Sequence, residues 1–344
     1  MAASKASKGR FAAFAPSLVN LRRLSQFLFL VLFFVILIRT TLVGEDDTEP
    51  WATFFFDIDP LILLSSLFAS HAVLSGMLLA LVTVALTLLL GRFFCGWVCP
   101  VGATFNLVSW ARKAPVPKLI KTGVWNQWQK SKYLLLTALL VSSLAGLNLA
   151  GVFDPFSLFY RTMATSVYPA FQWGAEQLFA WIYYTDPGIG PVRLTLASEP
   201  IYGVLRDYVL SNQPLAYSGG VLIGIVFVFL VVMALFHFRF WCRYLCPLGA
   251  LLGVFSKTGR MHLKLDGERC NECKMCVAYC PGACDPHLAG RWKKEECYLC
   301  LTCRDLCPSG AISFDAKIGN KTTQLIGPNK ATGHSESKDG QNDG

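Results

Sequence analysis

The sequence predicts an α-helical integral membrane protein of four transmembrane helices, arranged as a duplicated two-helix unit, followed by a small cysteine-rich α+β domain. Three observations predict it. The 344-residue chain is 53% hydrophobic and only 15% charged. Four apolar stretches, 26–43, 72–91, 133–153 and 218–237, approach the roughly 20 residues that cross a bilayer core of about 30 Å. Eight of the thirteen cysteines fall into two closely spaced runs near the C-terminus.

The N-terminal segment 1–23 is basic, and Arg22 and Arg23 lead into the first apolar stretch. No small-residue cleavage site precedes the acidic residues 45–49, so this stretch reads as an uncleaved anchor. Charge then alternates along the membrane domain, 24–256. Residues 44–71 hold six acids and no Lys or Arg, residues 92–132 hold seven Lys or Arg and no acid, and 154–216 hold five acids against three arginines. Basic residues collect on the cytoplasmic side of membrane proteins. The alternation therefore predicts both termini and the 92–132 loop inside, with outer loops 44–71 and 154–217. The net charge of +9 is then topology, and no nucleic-acid partner is expected.

The second and fourth stretches close on the same motif. Arg92-Phe-Phe-Cys95-Gly-Trp-Val-Cys99-Pro100-Val-Gly102-Ala103 is echoed by Arg239-Phe-Trp-Cys242-Arg-Tyr-Leu-Cys246-Pro247-Leu-Gly249-Ala250. These turns, 92–103 and 239–250, share an upstream echo, Asp59-Pro60 and Asp154-Pro155, which suits helix N-termini with Asp as cap and Pro at the first position. Cysteines four apart share a helix face, so Cys95, Cys99, Cys242 and Cys246 meet if the two copies pack together. Three readings stay open for them: a third redox or metal centre, redox-active thiols, or buried packing cysteines. Arg92 and Arg239 read either as anchors at the inner membrane surface or as contacts to an anion or a quinone near those turns.

The two cysteine runs are Cys270-x2-Cys273-x2-Cys276-x3-Cys280-Pro281 and Cys297-x2-Cys300-x2-Cys303-x3-Cys307-Pro308. This spacing wraps thiolates around two [4Fe–4S] clusters, and the fourth cysteine of each run ligates the other run's cluster. Cluster one is thus expected on Cys270, Cys273, Cys276 and Cys307, and cluster two on Cys297, Cys300, Cys303 and Cys280. Zinc sites also use CxxC turns but need no third cysteine two residues on. A disulfide framework belongs to short secreted chains. Residues 257–318 therefore form a two-cluster domain of the bacterial ferredoxin type. Cys284 lies outside both patterns and reads as packing, and the polar tail 319–344 reads as disordered.

The cluster runs, the twin CxxxCP turns and the basic start Leu21-Arg22-Arg23 with Gln26 together resemble the membrane polyferredoxins of the NapH/NosR type. The resemblance covers roughly residues 20–315. It implies a quinol-linked electron-transfer subunit of an oxidoreductase complex, multi-pass in a bacterial cytoplasmic (inner) membrane, with both termini and the clusters on the cytoplasmic side. Its partners would be quinone or quinol and other redox subunits, either ferredoxin-like proteins or periplasmic reductase components. A related branch of the CcoG/RdxA type implies a copper reductase or assembly factor working through the CxxxCP cysteines; a non-catalytic membrane scaffold is the other alternative. No haem is expected: no CxxCH motif is present, and His71 and His237 fall at opposite ends of their predicted spans.

Overall fold

The structure, a computed structural model, describes residues 18–43, 53–71, 75–110, 114–185, 188–189, 192–193, 195–210, 217, 219–287, 292–318 and 321–326. A long helix α1 (Leu18–Val43) is followed by the short α2 (Phe54–Asp57), α3 (Pro60–Ser70), α4 (Leu79–Leu90), α5 (Phe93–Trp97) and α6 (Pro100–Trp110). The linking helix α7 (Val116–Gly123) leads into α8 (Ser131–Leu144), α9 (Ala150–Phe153) and α10 (Pro155–Thr162). After a π-helical turn come α11 (Tyr168–Thr185), a two-residue hairpin of β1 (Gly188–Ile189) and β2 (Val192–Arg193), and α12 (Thr195–Tyr208). Helices α13 (Gly220–Phe236), α14 (Phe240–Tyr244) and α15 (Pro247–Lys257) close the helical part. The order α1–α6 thus recurs in α8–α10 and α13–α15, with α11 and α12 inserted.

This architecture corrects the expected four-span protein and its multi-pass placement. Among the described residues only Leu18–Thr40 of α1 is long and apolar enough to cross a membrane. The other three apolar stretches yield helices of 12, 14 and 17 residues in α4, α8 and α13. Each stretch is cut differently: residues Ser75–Leu78 form a 3-10 turn ahead of α4, which Gly91 (φ 80°) ends; Gly146 (φ 82°) lies in the turn that follows α8 well before residue 153; and α13 is bounded by Gly219 (φ 89°) and His237. Glycine alone adopts this left-handed conformation freely, so it ends helices in otherwise continuous apolar sequence. α13 does turn Val221, Leu222, Ile225 and Phe229 outward, but it falls short of the length α1 reaches. The charge alternation misled for a second reason. Arg92, Lys132, Arg239 and Arg243 are all 0% exposed; they face the protein interior instead of anchoring helix ends at a membrane surface. The basic segment 1–17 lies outside the described residues.

Both Asp-Pro helix starts form. Asp59 accepts a hydrogen bond from Leu61 N at 2.7 Å to open α3, and Asp154 accepts one from Ser157 N at 2.9 Å to open α10. Each such cap contributes about 1 kcal/mol. The next residues, Leu61 and Phe156, are completely buried in a core shared by both copies. Phe156 packs on Phe55 and Phe94, while Phe159 meets Phe33 of α1. Removing a buried ring of this kind costs about 3–5 kcal/mol. The copies interlock: α4 packs on α15, and α13 packs on α6.

The C-terminal part is a three-stranded antiparallel sheet, β3 (Met261–Leu265), β4 (Ile312–Ile318) and β5 (Lys321–Ile326), in the order β3-β4-β5. Met261, Leu263 and Leu265 pair with Ala316, Phe314 and Ile312. Alternate residues of β3 face inward, the period-2 pattern of a half-buried strand. Strand β5 falls inside the tail expected to be disordered; it forms because β4 offers it a free edge. Residues 327–344 lie outside the described residues.

Candidate iron–sulfur site

The two cysteine runs share one backbone design. Residues on either side of the second cysteine have positive φ: Glu272 (53°) and Lys274 (56°) around Cys273, Leu299 (47°) and Leu301 (59°) around Cys300. Non-glycine residues rarely adopt this conformation. Alternating left-handed residues gather N–H groups into a concave nest that suits an anionic group. Each turn then enters a four-residue helix, α16 (Met275–Ala278) or α17 (Thr302–Asp305), which carries Cys276 or Cys303. Cys307 follows α17, and its sulfur accepts the Ala311 N–H at 3.3 Å.

The thiols of the two runs lie close enough to act on one another, within and across the expected quartets. Burial, then Cys273, Cys280, Cys307 and Cys270, push the Cys276 thiol up to about 12. Cys303 is raised by burial and then by Cys300, Cys297 and Cys280. A cavity is lined by Cys280, Cys284, Cys297, Cys300 and Cys303, with Tyr298 at its wall. Sequence reasoning missed Cys284, whose sulfur lies 3.4 Å from that of Cys280. That contact, ahead of the opposing effect of burial, lowers the Cys280 thiol to about 7. The available signal was the spacing Cys280-Pro-Gly-Ala-Cys284, a tight Pro-Gly turn from one run cysteine to a further cysteine.

The CxxxCP turns also converge. Helices α5 and α14 carry Cys95 and Cys242, and Cys246 caps α15, its sulfur accepting Gly249 N–H at 3.2 Å. Burial raises the Cys99, Cys242 and Cys246 thiols; next come Cys95 and Cys242 for Cys99 and Cys242 and Cys95 for Cys246, while at Cys242 the Arg239 guanidinium opposes the rise before Cys95 adds to it. The two arginines cross between copies. A Cβ on Gly102 would stand 3.2 Å from Arg239 Nη2, and one on Gly249 would stand 2.5 Å from Arg92 Nη2. Each glycine leaves room for the other copy's guanidinium. Arg239 donates to Cys95 O and to Asn106 Oδ1, both at 2.9 Å. Arg92 donates to Glu296 Oε2 and Glu295 O, both at 3.1 Å. The Nη2 groups of both arginines are buried without a hydrogen-bond partner among the described residues.

Tyr298 joins the two parts. It lies between Cys297 and Cys300, is 1% exposed, and has Arg92 at 4.6 Å and Arg239 at 5.0 Å from its ring. Its hydroxyl donates to Cys242 O at 3.3 Å. Trp97, within the first CxxxC turn, donates to Leu299 O at 3.1 Å. Gly96 allows the closest approach, since a Cβ there would collide with Tyr298 O. The Cys297–Cys300 turn is therefore seated against both CxxxC turns. None of these contacts is legible in the motif spacing.

The electrostatics favour an anion. Buried Arg92 and Lys132 both pair with Glu296, and Arg239 and Arg243 are buried beside them on backbone and amide oxygens. Four buried cations against one carboxylate leave an excess that burial penalises unless further negative charge is supplied. Thiolates on an iron–sulfur cluster would supply it, so the donor set and the orphaned guanidinium groups fit such a centre. Among the described residues, no three His, Cys, Asp or Glu side chains converge tightly enough to hold one metal ion.

Comparison with known proteins bears on the same turns. A family model described as a 4Fe-4S binding domain matches twice, at residues 72–118 and 220–266. Both matches enclose a CxxxCP turn. An uncharacterised protein of Methanocaldococcus jannaschii is 28% identical over 297 residues, 86% of this chain and 94% of that one. The ferredoxin-type protein NapH of Haemophilus influenzae is 25% identical over 271 residues, 76% of this chain and 75% of NapH. The regulatory protein NosR of Pseudomonas aeruginosa is 30% identical over 239 residues, 66% of this chain but 26% of NosR. The chain carries a repeated 4Fe-4S binding domain and is a distant relative of these proteins. That likeness supports a general role in electron transfer. No solved structure matches the chain.

Proposed function

We propose that this protein is an electron carrier of a redox complex. Cys270, Cys273, Cys276 and Cys307 would hold one [4Fe–4S] cluster, and Cys280, Cys297, Cys300 and Cys303 a second. Cys95, Cys99, Cys242 and Cys246 would hold a third centre. Bound iron–sulfur clusters supply one-electron chemistry at potentials tuned by charge, hydrogen bonds and exposure. The chain's own residues do the rest: Tyr298 fills the space between the Cys297–Cys300 turn and the CxxxC turns, excluding water, while Arg92 and Arg239 hold positive charge there. The seating of that turn against both CxxxC turns is the observation that carries the reading.

On one side the partner is another redox protein, meeting the exposed Cys273 face. On the other it is a quinone. A groove of ≈ 520 Å³ lined by Leu32, Val35, Ile36, Arg39 and Phe54 on α1 and α2 supports this; its size and apolar walls with one polar group suit a ring with a hydrocarbon tail. Oxidation of a quinol releases two electrons and two protons, a split that suits carriers taking one electron each.

The test is anaerobic. Iron and acid-labile sulfide are counted on the purified protein, a reduced menaquinone analogue is added, and cluster reduction is followed by EPR. The reading expects about eight irons from the two runs and more from the CxxxCP turns, with rapid reduction by the quinol. Clusters that dithionite reduces and quinol does not would sink the quinone assignment. Unchanged iron in Cys95→Ala would sink the third centre.

A further inference from the structure

The cavity at the second run contains five cysteines where a cluster needs four. Cys284 is 3% exposed and Cys280 7%, and their sulfurs touch at 3.4 Å. The remaining thiols of the cavity, Cys297, Cys300 and Cys303, share it with both. A packing cysteine meets only apolar groups; this one meets the sulfurs of Cys280 and Cys297 as well. Its backbone is built like that of a ligand. Ala283 (φ 49°) and Asp285 (φ 51°) flank Cys284 with the same pair of left-handed residues that flank Cys273 and Cys300. The loop is also held in place: Lys293 N donates to Cys284 O at 3.0 Å, Trp125 N donates to Asp285 Oδ1 at 3.2 Å, and Gly282 lies against Glu296 O.

We propose that Cys284 is a reserve fourth ligand of the second cluster, interchangeable with Cys280 inside one five-thiol cavity. The inference rests on the reading that this cavity holds a [4Fe–4S] cluster. In the exchange the iron–sulfur bond to Cys280 breaks and the bond to Cys284 forms. The Cys284 thiol proton passes across the sulfur–sulfur contact to the released Cys280 thiolate, and no electron is gained or lost. The pair keeps the cluster four-coordinate when one ligand is damaged or displaced.

Iron content and EPR of Cys280→Ser, Cys284→Ser and the double variant test this, with Cys300→Ser as reference. Each single variant should keep the iron of the second cluster, with an altered EPR line shape in Cys280→Ser, while the double variant loses about four irons. Either single variant losing as much iron as the double overturns the proposal. If Cys300→Ser keeps all its iron, the cavity holds no cluster and the underlying reading fails instead. Should Cys280→Ser not fold, Cys284→Ala gives a second measurement. Its cluster should lose iron to a chelator severalfold faster than wild type, and equal rates overturn the reserve role.

Discussion

Cys273 and Cys300 occupy the same position in two runs of identical spacing and matching backbone, yet Cys273 is exposed and Cys300 is buried. The first run leans on α7, where Gly123 packs against Val277 O of α16, and otherwise faces outward. The second run is driven into the helical part by Gly96, Trp97 and Tyr298. The two runs share their cysteine spacing; the residues between the cysteines specify where each run faces. Asn271 and Glu272 leave one run at the surface, while Tyr298 and Leu299 at the same places bury the other.

The largest effect is expected from the second cysteines themselves. Cys273→Ser should lose about four irons and leave the rest intact, whereas Cys300→Ser should lose about four and also loosen the contact with the CxxxC turns. Iron counting with thermal unfolding separates them, and equal stability of the two variants would erase the distinction. Next is Gly96→Ala, whose Cβ collides with Tyr298 O. It should destabilise by about 1–3 kcal/mol through overpacking and disturb the EPR signal of the second cluster while leaving that of the first unchanged. Tyr298→Phe keeps the ring between the arginines but loses the hydrogen bond to Cys242 O. About 1 kcal/mol is expected from chemical denaturation, and a loss several times larger would mean that the hydroxyl supports more than that one bond.

The last effect, confined to the pH dependence of stability, probes the repeat that receives the second run. Asp59 and Asp154 are completely buried together; burial raises both carboxyls above their usual range, and Asp154 raises Asp59 further, while the hydrogen bond with Asp59 opposes the rise at Asp154. Neither Asp57 on α2 nor Tyr160 and Arg161 on α10 is among the groups that set these shifts. The folded protein therefore binds a proton there that the unfolded chain releases. Stability from the pair is full at pH values below the ordinary carboxylate range and is lost as pH rises through the raised folded values. Asp154→Asn should flatten that slope, which for one extra proton is up to about 1.4 kcal/mol per pH unit. An unchanged slope would mean that the pair holds no shared proton.

Much of the site was legible because cysteine spacing is a local property. The two cysteine runs, the recurring CxxxCP turns and the Asp-Pro caps each depend on residues a few positions apart. The span count was not legible. Hydropathy saw continuous apolar sequence across 133–153, while Gly146 lies in a turn and α8 ends at Leu144. Arg92, Lys132, Arg239 and Arg243 read as a charge pattern, but each is buried through tertiary partners more than a hundred residues away. The contact of Cys284 with Cys280 was not legible because the Pro281-Gly282-Ala283 loop, not the motif, brings the two sulfurs within 3.4 Å.

The inward and outward placement of the two clusters is tested most directly by EPR power saturation with a soluble paramagnetic relaxer. The anaerobic, dithionite-reduced Cys273→Ser and Cys300→Ser variants each retain one cluster of the pair. The cluster left in Cys300→Ser, on the exposed first run, should relax strongly with the added agent, and the cluster left in Cys273→Ser should barely respond. Equal relaxation in both would contradict the account.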